Sequence, residues 1–271
     1  MAAAGAANTA ALLLSSANEA HPNGLANSSD QVGRNYMFHT LTAMVSLTAA
    51  PLEVTFPKTL AVNDFYFGDP KGGYDLPMGH IQLLEYMSGQ TLEGQIEDWL
   101  PPALVPDALS GAAAERMLSM LVISEDLPQP DNRIRLGPDG RIFLDYSFGN
   151  LEGHDRLVKQ LKASLDGFVD HAHPISQHHF QLDSLLPLYG TAHQCGTARF
   201  GADPASSVLD RDCKAHELDN LYVVDTSFFV SASAVNPTLT TVANALRVGD
   251  HLIDRLGART TSGGTDGAPP A

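Results

Sequence analysis

Apolar and polar residues follow helical spacing at both ends of the chain and strand-like alternation between them. Near the amino end, an alanine-rich stretch closed by three leucines predicts a short helix that runs through Leu14. Near the carboxyl end, helical spacing predicts a helix that begins at Asn236, with Asn236 as N-cap and Pro237 at the first helical position. Its apolar face carries Leu239, Val242, Ala243, Leu246 and Ile253.

A buried strand is predicted shortly before the second helix. Residues 221–224 form a nearly unbroken apolar run that Asp225 closes, which is typical of a strand covered on both faces. Ligands of open α/β sheets bind beyond the carboxyl ends of such strands. We therefore expect the segment 225–229 to border a binding site, and the helix beginning at Asn236 to favour an anion at its amino end.

The middle of the chain predicts mainly strands, whereas residues 21–39 are rich in turn formers and are interpreted as loop. Residues 52–56 and 60–67 alternate between prolines, and residues 80–86 are a further candidate strand. Residues 111–121 are rich in alanine and methionine with helical spacing, although Val122 and Ile123 leave a strand open as an alternative.

A hairpin and an amphipathic helix complete this region. Residues 133–136 and 141–146 flank a Gly-Pro-Asp-Gly turn, which predicts a β-hairpin. Residues 151–169 place leucines at every fourth position and predict a helix. Several strands with few helices favour an antiparallel sheet.

Composition restricts the partners. The 271 residues carry 16 Lys and Arg against 31 Asp and Glu, and this formal charge of -15 argues against nucleic acid or an anionic membrane as partner. No segment reaches the length of about 18 apolar residues that spans a bilayer. The amino end lacks the basic region of a signal peptide. We therefore expect a cytoplasmic protein, with residues 260–271 as a disordered tail.

Cysteine and histidine usage indicates neither a disulfide scaffold nor a metal site. Cys195 and Cys213 are interpreted as reduced thiols, with a single bridge left open. Four histidines crowd a short segment, but no HExxH spacing, cysteine pair or acidic third ligand accompanies them, so a polar surface segment is favoured over a metal site. These are His171, His173, His178 and His179.

His193 is the candidate base. Imidazole titrates near 6.5, so at neutral pH it accepts a proton from an alcohol. Gly196, just beyond it, permits a close backbone approach. The alternative is a histidine that only packs near a glycine-rich turn. Asn236 has a structural alternative too, since asparagine before proline is a common start of a helix.

These residues belong to a set of separated blocks that resembles the C-terminal signature of the glucose-methanol-choline (GMC) flavin oxidoreductases. The blocks are His-Gln-Cys-Gly-Thr-Ala-Arg-Phe-Gly at 193–201, Asp-Pro at 203–204, Ser-Val-Leu-Asp at 207–210, Asn-Leu-Tyr-Val-Val-Asp at 220–225 and Asn-Pro-Thr at 236–238. Phe200 and Val230 replace the methionine and proline common in the family. Segments between residues 4 and 35 resemble a flavin-domain stretch that lies mid-chain in the family.

The resemblance implies a fold of mixed α+β and α/β class, in which discontinuous portions of an FAD-binding domain accompany a substrate domain with an antiparallel sheet flanked by helices. The expected division is 1–40 and 191–259 for the FAD-domain segments and 41–190 for the substrate domain. By resemblance, His193 takes the hydroxyl proton of a small-molecule alcohol, and Asn236 hydrogen-bonds the substrate oxygen. The implied cofactor contacts are Asp225, Thr226, Ser227, Asn236, Pro237 and Thr238.

One family feature is missing. The Gly-x-Gly-x-x-Gly turn that places a helix against the FAD pyrophosphate does not occur in this chain. The sequence is therefore interpreted as the later half of a GMC enzyme, with the N-terminal half as a potential partner. The rival hypothesis is a non-catalytic remnant or binding subunit without cofactor.

Overall fold

A computed structural model describes residues 1–47, 51, 58–84, 115–167, 181–187 and 191–257. Three α-helices, seven strands and two short 3-10 turns lie within these residues. They are α1 (Ala6–Ser15), β1 (His39–Leu47), β2 (Ala61–Val62), a 3-10 turn (Pro70–Gly72), β3 (His80–Leu83), β4 (Met117–Glu125), β5 (Arg133–Leu136), β6 (Ile142–Asp145), α2 (Leu151–Gly167), β7 (Gln181–Leu185), a second 3-10 turn (Thr226–Phe228) and α3 (Thr238–Arg255).

Five strands form one sheet in the order β2-β3-β4-β1-β7, and every neighbouring pair is antiparallel. Strands β5 and β6 form a separate hairpin. The antiparallel sheet with flanking helices confirms the predicted fold class. β1 and β4 pair over nine positions, from His39 opposite Glu125 to Leu47 opposite Met117, and this ladder is the centre of the sheet.

The two faces of the sheet have different neighbours. Alternate residues of β1 point to opposite faces. Met44 packs with Val122 of β4 and Leu157 of α2 in one core, so this face is covered by α2. Leu41 lies on the other face and packs in a different cluster with Ile123 and Ala234. We call this second face the site face, because it meets the carboxyl-terminal segment that carries the candidate residues.

The two ends of the chain form a common core. Leu13 of α1, Cys195, Val223 and Val248 of α3 belong to a single buried cluster. Ala2 pairs in parallel with Val223, and the hydroxyl of Thr197 donates to the carbonyl of Ala6 at 2.7 Å. The segments at either end, which the resemblance assigns to an FAD-binding domain, therefore fold together.

Most predicted elements of the middle region occur, but several differ in extent. The hairpin and α2 are confirmed, and α1 ends one residue beyond Leu14. The predicted strand at 60–67 is wrong beyond β2, because the chain turns after Val62. The predicted strand at 52–56, the histidines at 171–179 and the tail from 260 lie outside the described residues.

Three strands, β1, β4 and β7, were not predicted as such. Helical spacing at 111–121 gives the wrong element for the described part, since Met117–Glu125 is a strand that β1 and β3 pair on both sides. The loop assigned to 21–39 ends in β1, which begins at His39. In both cases, cross-strand pairing overrides local propensity.

His154 of α2 makes the fold acid-sensitive. It is buried, its Nε2 lies 2.7 Å from the Thr42 hydroxyl and its Nδ1 2.9 Å from the Ser124 hydroxyl. Burial lowers its pKa to about 4. The unfolded chain therefore binds more protons below about pH 6.5, and the folded state loses stability as pH falls toward 4.

We expect this histidine to contribute about 3 kcal/mol of acid destabilisation. Urea unfolding of wild type and His154→Gln at about pH 7.5 and about pH 4.5 measures it, and the glutamine variant should lose less stability on acidification. Burial raises the pKa of Asp126 to about 6, which acts in the opposite direction but equally in both proteins. His21→Gln, in the loop after α1, is the control; equal acid sensitivity of all three proteins would contradict the prediction.

Candidate functional site

Backbone pairing places His193 against the sheet. Met37 and Cys195 form an antiparallel bridge, with N–H···O distances of 3.0 Å and 2.8 Å. His39 lies two residues after Met37, and His193 lies two residues before Cys195, so the antiparallel bridge brings the two histidines side by side. The ladder between β1 and β7 begins only at Thr42, so the segment around His193 lies beside β1 where β7 does not pair with it.

The two imidazoles are in direct contact. The ring centroids of His39 and His193 lie 4.8 Å apart, and the ring planes meet at 79°, an edge-to-face arrangement. His39 is fully buried, and neither of its ring nitrogens has a hydrogen-bond partner of ordinary geometry. Nδ1 of His193 is also buried without a partner. Buried polar atoms are nearly always hydrogen-bonded, so three such nitrogens together mark an unusual site.

Both histidines are held in the neutral form. Burial lowers the pKa of His193 below its usual 6.5, and the positive charge of Lys58 lowers it further. Burial, followed by the neighbouring His193, lowers the pKa of His39 to about 4. The backbone of Ser233 and Val235 lies near the His39 ring and opposes this pKa shift. At neutral pH, His193 is therefore an unprotonated imidazole able to accept a proton.

The site face supplies residues that the sequence alone did not reveal. Glu125 stands opposite His39 in the sheet and accepts a hydrogen bond from the Ser231 hydroxyl. His80 stands opposite Ile123, and its Nδ1 lies 2.7 Å from the Asn63 side-chain oxygen. The alternation of β1 would have placed His39 on one face with Leu41, but only the long-range register shows that this face meets His193.

Asp225 has a clear structural role. It is buried, and its carboxylate accepts hydrogen bonds from the backbone N–H of Gly5 at 3.0 Å, the hydroxyl of Thr9 and the backbone N–H of Ser227 at 2.8 Å. These bonds tie the amino end of α1 to the 3-10 turn Thr226–Phe228. The apolar run before Asp225 is buried at Tyr222 and Val223 but forms only isolated bridges, so the predicted regular strand is wrong.

The 3-10 turn lies beside the segment that carries His193. The Thr226 carbonyl accepts from the N–H of Gly196 at 3.2 Å, and the Ser227 carbonyl accepts from Ala198 at 2.9 Å. The hydroxyl of Ser227 is buried without a hydrogen-bond partner. This turn therefore joins the two motifs and presents an unsatisfied hydroxyl.

Asn236 does not cap α3 as expected. The helix begins at Thr238, Pro237 occupies the N-cap position, and no side chain caps the helix. The Pro237 carbonyl accepts the first helical bond, from Thr241 N–H at 3.0 Å. Asn236 and Thr238 are exposed, whereas Pro237 is buried. The N-cap and the first helical residue thus each lie one residue later than predicted, and the Asn236 side chain is not used as a cap.

These features are compatible with an anionic, ring-bearing cofactor such as FAD. The uncapped amino end of α3 leaves backbone N–H groups and the positive end of a helix dipole for an anion. The unpartnered hydroxyl of Ser227 offers a hydrogen bond. The described residues therefore fit one edge of such a group.

The apolar face of α3 is largely exposed. Leu239 is 84% exposed and Leu246 68% exposed, although their spacing is that of a helix face which packs against another element. Val242, Ile253 and Leu256 extend this surface, and of α3 only Val248 is buried. The part of the chain that the structure describes thus leaves this face of α3 uncovered.

Three further features concern the described residues: the state of the cysteines, clusters of metal-ligating side chains and helices that could span a membrane. Cys195 and Cys213 are both buried free thiols, as predicted. No three His, Cys, Asp or Glu side chains in the described part of the chain come together as a metal site. None of the helices described above has both the length and the apolar content required to cross a bilayer.

Comparison with known sequences points to one family. A family model for GMC oxidoreductases matches residues 154–245. The 2-methyl-1,2-propanediol dehydrogenase of Mycolicibacterium austroafricanum is 28% identical over 92% of this chain and 46% of its own length. The 6'''-hydroxyparomomycin C oxidase of Streptomyces lividus is 32% identical over 94% of this chain and 45% of its own length. The chain thus spans about half the length of the curated relatives it matches.

Solved structures share the fold. Pyridoxine 4-oxidase from Mesorbium loti superimposes with a TM-score of 0.59 over 92% of this chain and 50% of its own, at 19% identity. Formate oxidase of Aspergillus oryzae gives a TM-score of 0.60 over 94% and 54%, at 16% identity. Together with the sequence blocks around His193 and Asn236, these matches show that residues 154–245 correspond to the GMC oxidoreductase family model and that the chain as a whole is similar to the C-terminal half of GMC oxidoreductases.

Proposed function

We propose that this chain provides the catalytic half of an FAD-dependent oxidoreductase that converts a CH–OH group of a small alcohol to a carbonyl. The observation that carries the proposal is the neutral His193 imidazole, held against the site face within the segment that the family model matches. Relatives named for oxidation or dehydrogenation of alcohols and sugars support the same reaction class.

His193 acts as the general base. An alcohol becomes a carbonyl when its hydroxyl loses a proton and its carbinol carbon loses a hydride. His193 is unprotonated at neutral pH and takes the proton, an effect worth roughly 10²–10⁴ in rate. Asn236 lies one residue beyond Val235, whose backbone is near His39, and from there it donates a hydrogen bond to the substrate oxygen.

FAD, when bound, supplies the acceptor for the hydride. In this chain, the 3-10 turn at Thr226 and Ser227 and the amino end of α3 at Asn236, Pro237 and Thr238 would hold the cofactor. Asp225 fixes the turn from behind through its bonds to Gly5 and Thr9, and acts as a positioning group. The helix dipole at Thr238 would favour negative charge on a bound cofactor.

The proposal includes the other half of the family architecture. The chain spans 46% of the dehydrogenase relative, and the apolar face of α3 is exposed. An apolar helix face of this size stabilises a fold only when another surface covers it. We propose that the half not spanned here covers Leu239, Val242 and Leu246 and completes the FAD site.

Flavin content tests this function. The protein is purified from its native source through an affinity tag placed after Ala271, and the recombinant chain is mixed with FAD in parallel. We expect oxidised-flavin absorbance in the native preparation and its bleaching by an alcohol from a screened panel. Absence of flavin from both preparations would contradict the proposed enzyme function and favour the rival hypothesis of a binding subunit without cofactor.

A surface variant separates the two parts of the proposal. Leu246→Asp places a charge in the exposed face of α3, and we expect it to reduce the flavin recovered, because burying an unpaired charge is unfavourable. Ile142→Asp is the matched control, since Ile142 is an exposed aliphatic residue of the β5–β6 hairpin and not of the α3 face. Equal flavin recovery from both variants would show that the α3 face is not covered.

A further inference from the structure

His39 has no role in the fold that its contacts explain. It is the first residue of β1 and is fully buried, yet neither ring nitrogen has a hydrogen-bond partner of ordinary geometry, and only the backbone of Ser233 and Val235 approaches the ring as a polar neighbour. The comparable buried histidine, His154, uses both nitrogens in hydrogen bonds with Thr42 and Ser124. A buried imidazole without such bonds destabilises the fold, so its presence calls for another explanation.

The surroundings of His39 connect two parts of the proposed site. On one side its ring meets the ring of His193, at 4.8 Å between centroids. On another side it lies near the backbone of Ser233 and Val235, which leads directly into Asn236. Ser233 itself has a left-handed backbone with φ of 54°, a conformation that persists only where its surroundings enforce it.

The position of the ring is determined by the backbone. The bridge between Met37 and Cys195 fixes which residue of the second segment faces β1, and pairing with Glu125 fixes β1 in the sheet. His39 therefore offers a rigid surface. His193 lies in a segment without regular secondary structure and has no such support of its own.

The His39 ring itself carries no charge at neutral pH, because its pKa is lowered to about 4. Among the described residues, the titratable and charged groups near the two rings are His80, Lys58, Glu125, which stands opposite His39, and Tyr66, whose hydroxyl accepts from Ala234 N–H. A protonated His39 would repel a proton from His193, whereas an uncharged His39 packs against it without opposing proton uptake.

We propose that His39 is a positioning residue for His193: a buried aromatic ring that fixes the orientation of the base and excludes water from its inner side. The inference rests on the proposed role of His193 as the base. The same ring holds the segment 233–235, and so sets the distance between His193 and Asn236.

Histidine-selective NMR of the full chain tests this without flavin or substrate. The His193 signals are assigned by their loss in His193→Gln, and their shifts are followed with pH. In wild type we expect a single ring environment for His193 and a pKa below 6.5. His39→Gln removes the ring, so water reaches His193 and raises its pKa by roughly 0.5–1.

Two further variants make the test specific. His39→Phe keeps an aromatic ring without nitrogens, and we expect the pKa of His193 to stay at the wild-type value. His154→Gln, at a buried histidine on the other face of the sheet, should also leave it unchanged. An unaltered His193 pKa in folded His39→Gln, or an equal shift in the Gln and Phe variants, would overturn the proposal.

The outcome is independent of the proposed function. The titration reports only the contact between the two rings, whereas the base assignment is decided by turnover of His193→Gln. Should His39→Gln fail to fold, the Phe variant still decides. A folded Phe variant with a shifted His193 pKa contradicts the role of the ring, and one with the wild-type value supports it.

Discussion

Replacing His193 with glutamine is expected to lower turnover of the flavin-containing protein roughly 10²–10⁴-fold. Glutamine fills similar space and forms hydrogen bonds, but it cannot take a proton from the substrate hydroxyl. Flavin content should be unchanged, because His193 contacts His39 and is not among the residues proposed to hold the cofactor. The measurement is kcat per bound flavin with the alcohol that best reduces the wild-type protein.

The control for this variant is another histidine of the same half. His216 contacts the Ser207 hydroxyl through Nε2 at 3.0 Å and is not among the residues of the proposed site. His216→Gln should keep wild-type turnover. If His193→Gln retained both flavin and turnover, the base would have to be another group, and the proposed mechanism would be wrong.

The pH profile gives an independent check on the same residue. A base must be unprotonated to act, so activity is lost as pH falls through its pKa. Burial and Lys58 lower the pKa of His193, and kcat/KM should therefore stay high at neutral pH and decline only below about 6.5. This acid limb should disappear in His193→Gln together with most of the activity.

The sequence predicted the elements whose stability is local. The hairpin of β5 and β6 has its Gly-Pro-Asp-Gly turn, with Gly140 at positive φ, and an ion pair between Arg135 and Asp145 across the strands. Helix α2 has leucines at helical spacing that are buried against the sheet. In these segments, local pattern and tertiary packing favour the same structure.

The site was only partly predictable for the opposite reason. His193 and Asn236 stand in recognisable blocks, but their surroundings come from strands distant in sequence. Met117–Glu125 became a strand because β1 pairs with it along nine positions, against its helical spacing. His39 and Glu125 were therefore missed, since a one-residue change of register would move both to the other face of the sheet.

Exposure of the α3 face has the same physical origin. Leu239, Val242 and Leu246 were predicted from their spacing to lie on the apolar face of a helix, and the helix itself is confirmed. In the described part of the chain their partner surface is missing, and the spacing cannot show which element covers them. The periodicity thus predicted the apolar face, and the structure shows that the described residues leave it exposed.

Gly196→Ala is expected to destabilise the fold by roughly 3–5 kcal/mol, and thereby to remove the support of His193. Gly196 has φ of 89°, and an added Cβ would lie 2.4 Å from the Asn35 carbonyl oxygen and 2.6 Å from Cε of Met37. The backbone oxygen cannot move without breaking the bridge between Met37 and Cys195, which aligns His39 with His193. Urea unfolding measures the loss, and Gly249→Ala in α3, where an added Cβ meets nothing within 4 Å, should instead gain up to about 1 kcal/mol. If Gly196→Ala unfolded at the same urea concentration as wild type, Gly196 would not approach the Asn35 carbonyl as closely as described, and the prediction would be wrong.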